Sequence, residues 1–117
     1  VSEMVAVLYP IIESTFKVCP SPISWKGRDF WKALETGNWE YENIKYITEN
    51  VKQGDIVLDV GAWIGPYTLL FSALKAITCA FEPDPDARHL LRVLIQVVQV
   101  VAVLMRINHR TMIYYIL

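Results

Sequence analysis

Acidic residues are missing from the end of this chain. All twelve aspartates and glutamates fall within residues 1–86, alongside seven bases, whereas residues 87–117 carry four arginines and no acid. Within these residues, an aspartate or glutamate base contributed from beyond Asp86 is therefore excluded. Cysteine is also scarce. Cys19 and Cys79 form no metal-ligand or disulfide spacing, and Cys79 lies in an apolar run, so reduced buried thiols and a cytoplasmic setting are expected. Excess charge is absent too: the formal net charge of −1 gives no electrostatic ground for binding nucleic acid or a membrane surface. The N-terminus lacks the basic-then-apolar pattern of a signal segment, because Glu3 precedes "MVAVLYPII" and Pro10 and Glu13 interrupt it. The uncharged run 93–105 includes two glutamines and falls short of the roughly 20 apolar residues that cross a bilayer, so no membrane span is expected.

What the chain does have is enough apolar material for a core. Hydrophobic residues make up 54% of it and charged residues 20%, and its 117 residues bound it to one domain at most. Val5, Leu8, Ile12 and Phe16 recur at helical spacing, which predicts an amphipathic helix over residues 3–18, bent at Pro10. "CPSPIS" (19–24) is a linker, since two prolines remove donors and hold an extended path. Residues 29–36 read as a short helix with Phe30, Trp31 and Leu34 on one face, ended by Gly37. A further helix over 41–51 places Tyr41, Ile44, Ile47 and Val51 together, and "KQGD" (52–55) is a turn.

The pattern then changes. "IVLDV" (56–60) is a short, β-branched, nearly continuous apolar run, the signature of a buried parallel strand. Gly61 and Gly65 bound a tight loop, and Pro66 suits the first position of a helix over 66–76. "ITCAFE" (77–82) is a second strand, and Asp84 before Pro85 opens another helix. Residues 90–107 are mostly apolar, with Arg92, Gln96, Gln99, Arg106 and Arg110 drawing one narrow polar stripe, while "VVQVVAV" favours strand; a buried helix followed by a strand is expected. Helices followed by strand–helix–strand–helix give the opening half of a doubly wound α/β sheet. The expected division is an N-terminal helical segment, 1–36, and a partial α/β domain, 37–117.

In an open parallel sheet, ligands sit beyond the carboxyl ends of the strands. The first strand ends in Asp59-Val60-Gly61 and the second in Glu82, so as neighbours they face one crevice. A glycine turn lets backbone approach a ligand, the helix starting at Pro66 directs its positive end there, and Glu82 suits two adjacent ribose hydroxyls. Each residue alone has an ordinary structural explanation: the glycines serve the turn, Asp59 caps it, and Glu82 is a solvated strand end. Together, at this spacing, they suggest a cradle for a ligand with a ribose and an anionic group. Two cofactor classes compete. Dinucleotide sites favour G-x-G-x-x-G, whereas "GAWIG" lacks the middle glycine and puts Trp63 where backbone would pass close to phosphate. S-adenosylmethionine, which has no pyrophosphate, fits better than NAD.

The stretch "GDIVLDVGAWIGPYTLLFSALKAITCAFEPDPDA", with the lead-in "GNWEYENIKYITENVKQGD", resembles the cofactor-binding core of the FkbM-type methyltransferases over about residues 37–87. The resemblance implies a Rossmann-like class I methyltransferase fold with S-adenosyl-L-methionine as cofactor. It implies that Asp59, Gly61, Ala62, Trp63 and Gly65 surround the methionine part, that Glu82 binds the ribose hydroxyls, and that Pro83 and Asp84 flank the adenine. Members of the family transfer methyl groups, often to hydroxyl oxygens of sugars or other small metabolites, so a small-molecule acceptor is implied. Trp39–Glu40 belongs to the matching lead-in, but a tryptophan anchoring a helix start is equally ordinary.

The resemblance stops near Ala87, which leads to the expectation of a truncated or divergent member that keeps the cofactor half. No catalytic base is identified: no carboxylate follows Asp86, and His89 and His109 read as surface or satisfied histidines. A second expectation, from a different class, is a non-catalytic fragment that self-associates or pairs with another chain through its apolar C-terminal tail.

Overall fold

Strand β1 (Val5–Leu8) pairs antiparallel with β2 (Thr15–Val18), with Val7 opposite Phe16. This ladder opens a computed structural model that describes residues 4–18, 24–25, 28–98, 102–107 and 112–116. The helix expected over 3–18 does not form, and with it goes the all-helical N-terminal segment. Its supposed apolar face is left outside: Val5 and Leu8 are exposed and Ile12 and Phe16 half-buried, while Val7, Tyr9 and Val18 are buried. Period two prevailed over period 3.6 for two reasons. Val5 and Val7 are β-branched and favour extended backbone. Pro10 has no N–H to donate and its ring clashes with the carbonyl four residues before it. The turn that replaces the bend holds Ile11 and Glu13 at positive φ (72° and 50°) and closes with the Tyr9 N–H donating to Ser14 O at 2.9 Å. Tyr9 and Phe16 then meet edge to face, with ring centroids 5.3 Å apart.

Of the expected linker, residues 19–23 lie outside the described residues. Strand β3 (Ser24–Trp25) forms a two-residue antiparallel ladder with β4 (Arg28–Asp29). Helix α1 (Phe30–Glu35) follows as expected, because Asp29 Oδ1 accepts the Lys32 N–H at 3.3 Å and caps it. Its buried residues are Phe30, Trp31, Ala33 and Leu34, and Gly37, at φ 76°, ends it. Glu35 Oε1 accepts the Leu8 N–H at 3.1 Å and so ties β1 to α1. Trp39 packs on Phe30 with centroids 4.9 Å apart, which is the anchoring role expected of a tryptophan before a helix. Helix α2 (Tyr41–Asn50) buries Ile44, while Tyr41 is exposed. These elements make up one compact unit, Val1–Asn50; the second is Val51–Leu117.

The second unit is a mixed α/β arrangement. After the turn at 52–55, strand β5 (Ile56–Val60) leads through a glycine loop to helix α3 (Pro66–Ala73), strand β6 (Ile77–Phe81), helix α4 (Pro85–Val98), strand β7 (Ala102–Ile107) and strand β8 (Met112–Ile116). The sheet order is β5-β6-β7-β8, with the first two pairings parallel and the last antiparallel. Residues 90–98 are thus helical and 102–107 a strand, in the expected order. No helix among the described residues is long and apolar enough to cross a membrane.

The strand expected to be buried is not. β5 is parallel to β6, but it lies at the sheet edge, with Ile56, Leu58 and Val60 exposed by 75%, 62% and 78%. Parallel crossovers follow a right-handed rule that puts α3 and α4 on the same face of the sheet, in accord with Leu91 and Leu94 of α4 lying against Gly65 at the start of α3. Asp59, Thr78, Ala80 and Glu82 turn to that covered face, and Ile56, Leu58, Val60 and Ile77 to the other. Cys79, on the second face, is a free thiol and only half-buried, in contrast to the expected core position; Cys19 lies outside the described residues.

Ala87, Leu91, Leu94 and Ile95 form the buried stripe of α4 at helical spacing. That stripe meets the start of α3 at Gly65, whose φ is 102°. A Cβ there would stand 2.8 Å from Leu91 Cδ1 and 2.9 Å from Leu94 Cδ2. Gly65→Ala therefore combines an unfavourable backbone conformation with overpacking. It is expected to cost about 2–4 kcal/mol in urea unfolding, with the spectroscopic m-value unchanged.

Candidate functional site

The two strand ends that sequence spacing brings together are adjacent in space. Asp59 lies in register with Ala80 and Val60 with Phe81, so Asp59 and Glu82 emerge at the carboxyl ends of neighbouring parallel strands, on the covered face. Each is only 7% exposed. A carboxylate at that depth requires hydrogen-bond donors, which backbone N–H groups supply to Glu82 and the Thr68 hydroxyl supplies to Asp59.

Glu82 takes its donors from both loops. The Trp63 N–H donates to Glu82 Oε2 at 2.6 Å, and the Asp84 N–H donates to Glu82 Oε1 at 2.8 Å. The first bond reaches across from the β5–α3 loop, and the second closes the turn after β6. Phe81 O, one residue earlier, accepts the N–H groups of Gly61 and Ala62 at 2.8 and 2.9 Å. The glycine loop is thus sewn to the end of β6 by three backbone donors from consecutive residues, Gly61, Ala62 and Trp63.

The donor alignment has a conformational cost. Trp63 adopts φ 53°, in the left-handed region that non-glycine residues enter at about 1–2 kcal/mol, and its charge-assisted bond to Glu82 offsets that cost. Gly61 is also left-handed, at φ 74°, but has no heavy atom within 4 Å of where a Cβ would stand. The two glycines therefore differ. Gly65 is required by packing against α4, whereas Gly61 faces open space on the exposed side of the loop. Ala62 is buried, Trp63 half-buried, and Pro83 and Asp84 exposed. Asp84 Oδ1 also accepts the N–H groups of Asp86 and Ala87, at 2.9 and 3.4 Å, and so caps α4.

Two contributors were not singled out from sequence. Thr68 Oγ1, fully buried in α3, donates to Asp59 Oδ2 at 2.6 Å. The only sequence signal for it was a hydroxyl one turn into a helix that follows a strand-end acid. Arg88 Nη1 donates to Glu82 O at 3.1 Å and Pro83 O at 3.0 Å. His89, by contrast, is exposed, as expected of a surface histidine. Among the described residues there is no group of three or more histidine, cysteine or acidic side chains able to hold a metal ion.

The candidate notch thus consists of two neighbouring parallel strand ends, each carrying a buried acid, with the open Gly61 in the loop that leads to α3. It can accept hydroxyl or ammonium donors through its carboxylates. Neither family models nor curated proteins compared with the chain give a match.

The burial of Asp59 also sets a pH dependence. Burial pushes the Asp59 carboxyl above the usual aspartate range; the Thr68 hydrogen bond partly opposes this, and the Glu82 charge adds to it. Folded protein holds this proton more tightly than unfolded chain. The associated stability is full below the ordinary aspartate pKa and is lost as pH rises through the elevated one. Asp59→Asn keeps an acceptor for Thr68 without the charge. Its stability relative to the parent protein should increase as pH rises from about 4 and level off once Asp59 has ionised, as read from urea midpoints across a pH series.

Proposed function

We propose that the α/β unit is the cofactor-binding half of a Rossmann-like, FkbM-type methyltransferase and that its notch holds S-adenosyl-L-methionine. One observation carries this reading: two buried acids, Asp59 and Glu82, flank the open Gly61 at adjacent parallel strand ends, with the loop between them tied to Glu82. The residues fit such a ligand. Each Glu82 oxygen accepts one backbone N–H, and a carboxylate oxygen has a second lone-pair site, leaving capacity for two ribose hydroxyls. Gly61 leaves room for the ligand chain to pass. Asp59 places negative charge where an α-ammonium would be stabilised, while Pro83 and Asp84, both exposed, offer an edge to the adenine.

A dinucleotide fits less well. Its pyrophosphate would need an open glycine near the helix start, but Gly65 is closed off by Leu91 and Leu94, and Trp63 occupies the middle of the loop. When bound, the cofactor supplies a methyl group on a sulfonium for in-line transfer to an acceptor oxygen. The residues described here bind and orient that donor. A sugar or small-metabolite hydroxyl is the proposed acceptor class.

Calorimetry with S-adenosylhomocysteine tests the reading. The folded protein should bind it, and Gly61→Ala should weaken binding at least tenfold; its methyl group meets no other atoms, so the cost to the fold is confined to a left-handed alanine, about 1–2 kcal/mol, and thermal unfolding should show the variant still folded. Absence of binding by the parent protein, or equal binding by the variant, rejects the site. Glu82→Ala is the poorer probe, because it also removes the acceptor that holds Trp63 and Asp84.

The second reading is self-association, and a specific observation favours it: Ile56, Leu58 and Val60 line the free edge strand with large exposed apolar side chains. The contact is thereby proposed on β5 and not on the expected C-terminal tail, whose side chains from 97 onward lie outside the described residues. Sedimentation should show concentration-dependent dimerisation that Leu58→Lys abolishes; a parent protein that stays monomeric at all concentrations rules it out.

A further inference from the structure

We infer that Arg88 is a positioning residue of this site, holding the Glu82–Pro83 backbone in the conformation that presents the adenosine half of the ligand. The inference rests on the cofactor reading above and adds to it a residue that the ligand-facing motif does not contain.

The argument begins with where Arg88 stands. It is the fourth residue of α4, within the turn at the helix's positive end, where a cation is electrostatically misplaced and acids such as Asp86 are favoured. Its own N–H is already used in the first helical bond, to Asp84 O at 2.9 Å. The side chain does not extend away from the helix end. It turns back, and one nitrogen, Nη1, bridges two successive carbonyl oxygens, Glu82 O at 3.1 Å and Pro83 O at 3.0 Å. Those carbonyls belong to the segment whose N–H groups and side chains form one wall of the notch.

The turn after β6 is consequently held on two sides. The Glu82 carboxylate binds the Asp84 N–H from within, and the Arg88 guanidinium binds the Glu82 and Pro83 carbonyls from the helix. Proline at 83 has no N–H, so this peptide can be fixed only through its carbonyl. Nη1 carries two N–H groups and can donate one to each oxygen while the guanidinium stays charged at all working pH; a lysine ammonium also has several N–H groups, but its shorter stem reaches the pair less well. By orienting Glu82 and the exposed Pro83–Asp84 edge, Arg88 acts on the ribose and adenine contacts. The Gly61 N–H itself is anchored to Phe81 O, outside the pair of carbonyls that Arg88 holds.

The test compares the parent protein with Arg88→Met and Arg88→Lys, by calorimetry with S-adenosylhomocysteine and with 5′-methylthioadenosine, which lacks the amino-acid end. Thermal unfolding of each variant is recorded alongside. Arg88→Met should weaken both ligands by the same factor, on the order of tenfold, with the Lys variant recovering part of the loss. Unchanged binding by Arg88→Met overturns the inference, as does a loss confined to S-adenosylhomocysteine. A loss that follows lowered thermal stability, with no recovery in Arg88→Lys, overturns it as well, because that is the result of a purely structural contact. If Arg88→Met does not fold, Arg88→Lys decides alone: a shared loss for both ligands supports the inference, and parental affinity refutes it. No binding by the parent protein is a separate outcome, and it rejects the underlying cofactor reading.

Discussion

The Glu82 carboxylate is the contact on which the site depends. A buried acid must find donors, and Glu82 finds them in the backbone of two loops that are nineteen residues apart at Trp63 and two apart at Asp84. The same two bonds that satisfy the charge draw the loops together, so solvation of one side chain and construction of the notch are a single event. Truncating Glu82 would leave two amide groups without their acceptor and let the walls separate. On the proposed cofactor reading, an acid in this position is both a binding group and a structural one, and losing it confounds the two roles.

Around that contact, the loop divides its demands among residues according to what each backbone position tolerates. Gly65 is needed because two leucines of α4 fill the space a side chain would take, and Gly61 because its φ is positive and its surroundings open. Trp63 violates the usual rule for a left-handed position and is held there by its bond to Glu82. Strain of this kind persists where the surrounding contacts over-determine it, and such places are often functional. Asp59 follows the same logic electrostatically: its burial next to a second acid costs stability at neutral pH, in a place where a cationic ligand group would relieve it.

Much of the α/β unit was legible in the sequence because its signals are local and agree with one another. Proline at the first helical position, aspartate before proline, and short β-branched runs each specify an element and its boundary. The N-terminal segment was not legible for the opposite reason. Val5, Leu8, Ile12 and Phe16 satisfy a helical period while Val7 and Tyr9 satisfy a strand period, and only Pro10 and pairing with β2 decide between them. The exposure of β5 was hidden as well, since an apolar run has the same composition whether the second face of its sheet is covered or open. Of the site, the acids and glycines were readable from spacing. Thr68 and Arg88 were not, because their roles depend on side chains folding back across a turn, and no spacing encodes that.

The edge position of β5 has one more consequence. The strand carrying Asp59 is laddered on one side only, and in a pleated strand a shift of one residue exchanges the faces. Such a slip would turn Leu58 and Val60 toward the helices and Asp59 toward water, an exchange that apolar burial by itself would favour. What opposes it is the set of loop bonds to Phe81 and Glu82, which form only in the native register. The polar fastening at the strand ends therefore acts as a proofreading device for the sheet, keeping an acid inside and valine and leucine outside.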